Sequence, residues 1–256
     1  MSSTDQVIVE AADRNFIGSY RKLVEHCPGA AERQFGGVFA FATGLPIGIF
    51  NGCIVAGPAA AEDVDAALDW IDRRDVPYRL WIHEELTGRL RPVTQRRGME
   101  QDPWFEPQMV LRPMPEPPQP GPGVAARPVS DGSSLNEHRG IYVDFGMSDD
   151  VSRRLFSDSF AADPDVQLFT ALLEGRPVGT SLALRTGDTA GVYAVGTSPD
   201  ARRRGVGTAA TWAAVGAARA WGCDMIVLQA SEMGFPIYEA MGFRTVVRYA
   251  VFQPPR

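Results

Sequence analysis

Apolar and polar positions sort the chain into two series of short elements. Val38–Ala42 and Ile47–Val55 are apolar runs separated by Thr43-Gly44-Leu45-Pro46, a break that predicts a β-hairpin. A helix is expected from about Glu62 to Arg73, then a strand at Tyr78–Ile82 and a helix near Arg89–Arg97. Gly98-Met99 and a strand from Trp104 to Leu111 close the first series. The second series begins with a strand at Ala125–Ser130 and helices at Leu135–Phe145 and Val151–Ala161. Val166–Leu173 and Pro177–Arg185 form a hairpin through Glu174-Gly175-Arg176, and Ala190–Thr197 is a further strand. A helix at Thr208–Ala220 carries mostly small residues, which favour close packing on a sheet, and Gly222 stops it. The apolar run Asp224–Ala230 suits a buried strand; a helix at Pro236–Met241, Gly242-Phe243 and a β-rich end, Arg244–Phe252, follow.

Between the two series lies Arg112-Pro113-Met114-Pro115-Glu116-Pro117-Pro118-Gln119-Pro120-Gly121-Pro122-Gly123. Proline donates no backbone hydrogen bond, so this stretch is expected to be a semi-rigid extended spacer. It divides the chain into 1–112, a linker at 113–123, and 124–256.

Composition narrows the function classes. With 256 residues, 45% hydrophobic and 22% charged, the chain has an ordinary globular composition. A net charge of −6 argues against general nucleic-acid binding. The three cysteines, Cys27, Cys53 and Cys223, form no Cys-x-x-Cys pair. With three scattered histidines they give no metal-site spacing, and reduced thiols in a cytoplasmic setting are expected. The N-terminus lacks a basic-then-apolar leader pattern. Phe35–Ala61 carries no charge, but repeated glycines, Pro46, Asn51 and Pro58 break it into the hairpin above, so no membrane span is expected.

The candidate chemistry sits in Thr197-Ser198-Pro199-Asp200-Ala201-Arg202-Arg203-Arg204-Gly205-Val206-Gly207-Thr208. A glycine loop opening a helix aims backbone N–H groups and the positive helix end at one point, a site for a phosphate or pyrophosphate. Three arginines add charge-assisted donors, and Gly205 and Gly207 let a ligand approach the backbone closely.

Arg202-x-x-Gly205-x-Gly207, followed by Tyr238-Glu239-Ala240-Met241-Gly242-Phe243, resembles the GCN5-related N-acetyltransferase (GNAT) superfamily in order and spacing, over about Val124–Phe252. The resemblance implies an α/β (α+β) chain of two GNAT-like domains, each a mixed, mostly antiparallel sheet flanked by helices. It implies transfer of an acetyl group from acetyl-CoA to an amine of a small molecule or peptide. Val195, Gly196 and Thr197 match the strand that lines the pantetheine and polarises the thioester carbonyl; Gly196 hints at a bulge. Arg202, Arg203, Arg204, Gly205, Val206, Gly207 and Thr208 match the pyrophosphate loop, and Tyr238 matches the general acid that protonates the departing thiolate. Ser231 stands where many relatives carry Asn, and could hold a water or a pantetheine amide.

A general base is not evident. Many relatives place a carboxylate on the strand before the loop, but Ala190-Gly191-Val192-Tyr193-Ala194 has none. Glu232 and Asp144 are candidates, and deprotonation through ordered water is an equal alternative. The first half repeats the element order, yet Val55 to Pro77 covers 22 positions where Val195 to Cys223 covers 28. Gly57-Pro58-Ala59-Ala60-Ala61-Glu62-Asp63 has no arginine and puts acids at the helix start, which would repel phosphate. The first half is therefore read as a tandem GNAT-like domain without a cofactor loop. A non-catalytic acyl-CoA-binding module and a tandem aminoacyl- or thiol-pathway acyltransferase are the competing readings. The sequence leaves monomer and homodimer both open.

Overall fold

The computed structural model describes residues 3–255 and packs as two compact units. The first comprises Met1–Met109, Gln229–Pro236 and Thr245–Arg256; the second comprises Val110–Leu228 and Ile237–Arg244.

In the first unit, helix α1 (Ser3–His26) precedes strands β1 (Ala31–Phe35), β2 (Val38–Ala42) and β3 (Asn51–Val55). Then come α2 (Ala61–Asp72), β4 (Arg79–His83), α3 (Glu84–Arg96), β5 (Glu100–Gln101) and β6 (Glu106–Leu111). β2 and β3 form the expected antiparallel hairpin, while β3 and β4 run parallel, joined by α2. Nothing in the pattern reading anticipated α1. It covers one sheet face by burying Phe16 and Tyr20 against Phe39, Phe41, Ile54 and Trp81. α2 and α3 cover the other face through Val64, Leu68, Ile71, Leu90 and Val93. Helices on both faces explain why β2, β3 and most of β4 are apolar without alternation.

The second unit starts with β7 (Val124–Pro128), α4 (Gly132–Asp144), α5 (Asp149–Leu155) and α6 (Asp158–Ala161). Strands β8 (Val166–Leu173), β9 (Arg176–Thr186) and β10 (Thr189–Thr197) follow, then α7 (Val206–Ala220), β11 (Met225–Gln229) and α8 (Phe235–Ala240). The helix expected over Val151–Ala161 is two pieces, because Ser157 ends one and caps the next through Phe160 N–H. The sheet order is β7-β8-β9-β10-β11, antiparallel except for the parallel β10–β11 pair. α7 lies on one face through Val206 and Ala210. α4 lies on the other, sending Tyr142 to Thr180 of β9.

The last strand, β12 (Arg244–Gln253), pairs antiparallel with β4, with Tyr249 opposite His83, which places the C-terminal residues in the first unit. The proline-rich stretch is not a free spacer. Arg219 donates to the Met114 carbonyl, Arg112 pairs with Asp224, and Pro117 lies beside Gly216, so residues 113–123 belong to the second unit.

Candidate active site

The glycines and arginines of the candidate loop lie between β10 and α7. A short 3-10 turn at Pro199–Ala201 leads into Arg203 at φ 59 and Gly205 at φ 82, two left-handed positions around one residue. Such a turn points successive N–H groups to one side. Gly205 is the residue before the first helical position and has no side chain to cap it; no acid lies in the first turn of α7. The N-terminal N–H groups of α7 are thus open to an anion, with the positive helix end behind them. Gly207 follows within that turn, where an added Cβ would come 3.4 Å from the Thr197 hydroxyl.

Arg202, Arg203 and Arg204 are exposed around this loop. Arg202 turns back toward the Thr197 carbonyl at 3.4 Å, and Arg204 pairs with Glu174 at 3.0 Å. An exposed pair of this kind contributes about 0–1 kcal/mol, so either guanidinium can be drawn onto a phosphate.

β10 is irregular where it approaches the loop. Its register against β9 shifts between Tyr193, opposite Leu182, and Gly196, opposite Thr180. The expected bulge is present, but its left-handed residue is Ala194, at φ 55, rather than the glycine. That conformation costs a non-glycine residue about 1–2 kcal/mol. Gly196 is required for a different reason: an added Cβ would lie 2.6 Å from a ring carbon of Phe145. On its other side, β10 pairs with β11 over Thr189–Met225, Ala190–Ile226 and Gly191–Val227, and then runs on to Thr197 beyond that ladder. Val195, Gly196 and Thr197 lie in this outrunning stretch.

Tyr238, on α8, is half-buried, and its hydroxyl meets that of Thr211, which donates to the Gly207 carbonyl at 2.9 Å. The structure therefore ties Tyr238 to the first turns of α7. Burial pushes its phenol up to about 12, which the Thr211 contact partly opposes, so it is fully protonated near neutrality.

Ser231 and Glu232 are exposed in the turn after β11, which belongs to the first unit; the Ser231 hydroxyl accepts from Gly234 N–H. Asp144 is exposed at the end of α4.

No motif marked four further residues of this region. Tyr142 donates to the Ala194 carbonyl at 2.9 Å, and Thr180 lies within hydrogen-bond distance of both. His138, one turn before Tyr142, is fully buried; its ring nitrogens make no well-formed hydrogen bond, only a weak approach to the Phe169 backbone, and the Thr170 hydroxyl has no partner. Burial drives His138 down to about 4, against a smaller upward pull from the Phe169 backbone. Their signal was available in part, since 138, 142 and 145 share one helical face.

Residues 136–243 match the model of the acetyltransferase (GNAT) family. Among solved structures, a GCN5-related N-acetyltransferase from Kribbella flavida is similar over 96% of this chain and 96% of its own, with TM-score 0.71 and 20% identity. One from Sphaerobacter thermophilus is similar over 98% of this chain and 92% of its own, with TM-score 0.63 and 18% identity. A tandem GNAT protein from the clavulanic acid biosynthesis pathway is similar over 95% and 96%, with TM-score 0.59 and 12% identity. These likenesses identify the fold over nearly the whole chain. No curated protein matches. Among the described residues no helix is long and apolar enough to cross a membrane.

Proposed function

With residues 136–243 constituting a GNAT-family domain, we propose that the protein is an N-acetyltransferase moving an acetyl group from acetyl-CoA to an amine. The observation that carries this is the uncapped N-terminus of α7, opened by Gly205 and ringed by exposed arginines, beside a strand that outruns its parallel partner. Acyl-CoA, when bound, supplies an activated acyl carbon and a thiolate leaving group.

The residues divide the work by position. The N–H groups from Gly205 to Thr208, with Arg202, Arg203 and Arg204, hold the pyrophosphate. The Val195–Thr197 backbone lines the pantetheine and donates to the carbonyl oxygen as negative charge develops there. Tyr238 gives its proton to the departing sulfur. A phenol near 12 is a weaker acid than a thiol, so Tyr238 works by position, with Thr211 holding its hydroxyl in place. The amine loses its proton to water or to Asp144. The acceptor is a small-molecule or peptide amine.

The test combines calorimetry and turnover. Acetyl-CoA is expected to bind one per chain. Tyr238→Phe should lower acetylation of a responsive amine about a hundredfold, with acetyl-CoA affinity nearly unchanged. Unchanged turnover would remove Tyr238 from the chemistry; no heat with any coenzyme A derivative would overturn the whole reading. The absence of a carboxylate on Ala190–Ala194 favours one other reading, an acyl-CoA-binding module without turnover. Binding without acetylation of any amine, or hydrolysis, would select it.

A further inference from the structure

The bulge in β10 places a left-handed alanine next to the backbone just assigned to the acyl group, and something must hold it there. Ala194 has no side chain with which to secure its own conformation. Its carbonyl is instead gripped from α4: the Tyr142 hydroxyl donates to it at 2.9 Å, and the Thr180 hydroxyl lies 2.9 Å from the same oxygen and 3.1 Å from that of Tyr142. Thr180 has one proton and two acceptors within reach. Whether that proton goes to the carbonyl, which has two lone pairs, or to the Tyr142 oxygen, Tyr142 itself donates to the carbonyl. One turn further along α4, Phe145 fills the space over Gly196. The two residues flanking Val195 are thus fixed from a single helix face.

We propose that Tyr142, backed by Thr180, is a positioning residue that locks Ala194 in its left-handed conformation and so sets the direction of the Val195–Thr197 backbone. It rests on the acyl-CoA reading for its consequence, since that backbone is the one said to line the thioester, but the lock itself is a property of the free protein. The competing role is simple packing. Tyr142 also stacks near Phe156, with ring centroids 4.6 Å apart, and a phenylalanine would serve that purpose equally well. Glycine adopts positive φ without strain, so a chain with glycine at 194 has no need of the lock.

The experiment is a double-mutant cycle on the full chain with Tyr142→Phe, Ala194→Gly and both together. It reads amide hydrogen exchange over residues 194–198 and the dissociation constant for acetyl-CoA. Tyr142→Phe should speed exchange in that segment and weaken acetyl-CoA about tenfold, the loss of roughly one buried hydrogen bond. Ala194→Gly alone should stay within about threefold of wild type, and adding it to Tyr142→Phe should bring affinity back to within about threefold. Thr180→Val, which leaves the aromatic packing untouched, should shift both readouts the same way by less. Exchange and affinity unchanged in Tyr142→Phe, or a double variant no better than Tyr142→Phe, would overturn the proposal. Rescued exchange in a protein whose wild type binds no acetyl-CoA would keep the lock and sink the acyl-CoA reading instead.

Discussion

In the first unit β3 pairs with β4 over four rungs and ends with the last of them, Val55 opposite Ile82; in the second, β10 pairs with β11 over three rungs and then continues to Thr197. The helices that follow differ in the same sense. α2 begins with Glu62 and Asp63, and the Asp63 carboxylate accepts from Ala60 N–H at 3.4 Å. The β1–β2 turn lies directly on that carboxylate, since a Cβ at Gly36 would come 2.1 Å from its oxygen. α7 is preceded by Gly205 and carries no acid in its first turn. One strand–helix–strand step therefore yields an acidic, covered helix end in one unit and an acid-free end beside exposed arginines in the other. If the α7 end takes a phosphate, as proposed, it does so largely by lacking the acids that occupy the matching place in α2.

The polar interiors show the same contrast. His83 of the first unit lies 3.2 Å from the Asp13 carboxylate, which also accepts from Gln108 at 2.7 Å and Tyr249 at 2.7 Å. His138 of the second unit has no such partner. The largest effect should come from breaking the satisfied cluster. Asp13→Ala strips three buried donors of one acceptor and should cost about 3–5 kcal/mol in urea unfolding. A loss under about 1 kcal/mol would mean that the cluster is not the polar centre of its unit.

Next in size is the acid response of the unpartnered histidine. His138 is held down to about 4 by burial, so between pH 6.5 and 4 the unfolded chain takes up a proton that the folded chain refuses. Stability from this group is full above pH 6.5 and falls as pH drops through that window, by about 3 kcal/mol in all. His138→Leu should lack that component of the acid limb when unfolding is compared at pH 7 and 4.5. An acid limb identical to wild type would show that His138 is hydrogen-bonded or hydrated in solution.

How far the sequence disclosed this contrast depended on range. The β2–β3 hairpin, the strands of the second unit and the loop from Arg202 to Thr208 were legible because turn residues and charge act over a few positions. The acids at the start of α2 were legible for the same reason. α1 was not legible as a helix although Ser3, Thr4 and Asp5 are helix-start residues and Ile8, Ala12, Phe16 and Tyr20 recur on one face, because other apolar positions such as the exposed Val7 blur that face. The pairing of β12 with β4 was not legible, since an apolar strand does not encode which strand it joins. Gly196 hinted at the bulge, but that Ala194 is its left-handed residue was not legible, since the Tyr142 phenol that meets its carbonyl is far away in sequence.

The third test moves the acid of one unit into the other. Asp63 is the third helical residue of α2, and Thr208 holds that place in α7. Thr208→Asp should weaken acetyl-CoA about a hundredfold in calorimetry, because a carboxylate competes for the same N–H groups and repels the pyrophosphate. The helix itself should gain a few tenths of a kcal/mol, up to about 1. Lost affinity with unchanged or raised thermal stability separates anion repulsion from misfolding; unchanged affinity would mean that the pyrophosphate lies elsewhere.

The reverse exchange should be the mildest and tests whether an open helix end is sufficient. Asp63→Ala removes the acceptor for Ala60 N–H and the favourable charge at the start of α2, a loss of about 1 kcal/mol. It should create no second binding event. Gly57–Ala61 supplies no arginine, and β3 still ends on its last rung with β4, so no strand runs on to line a pantetheine. An acetyl-CoA isotherm that stays one to one would show that the site needs the overrunning strand and the cations as well as the bare helix end. A second equivalent in Asp63→Ala would show instead that one carboxylate is all that distinguishes the two units.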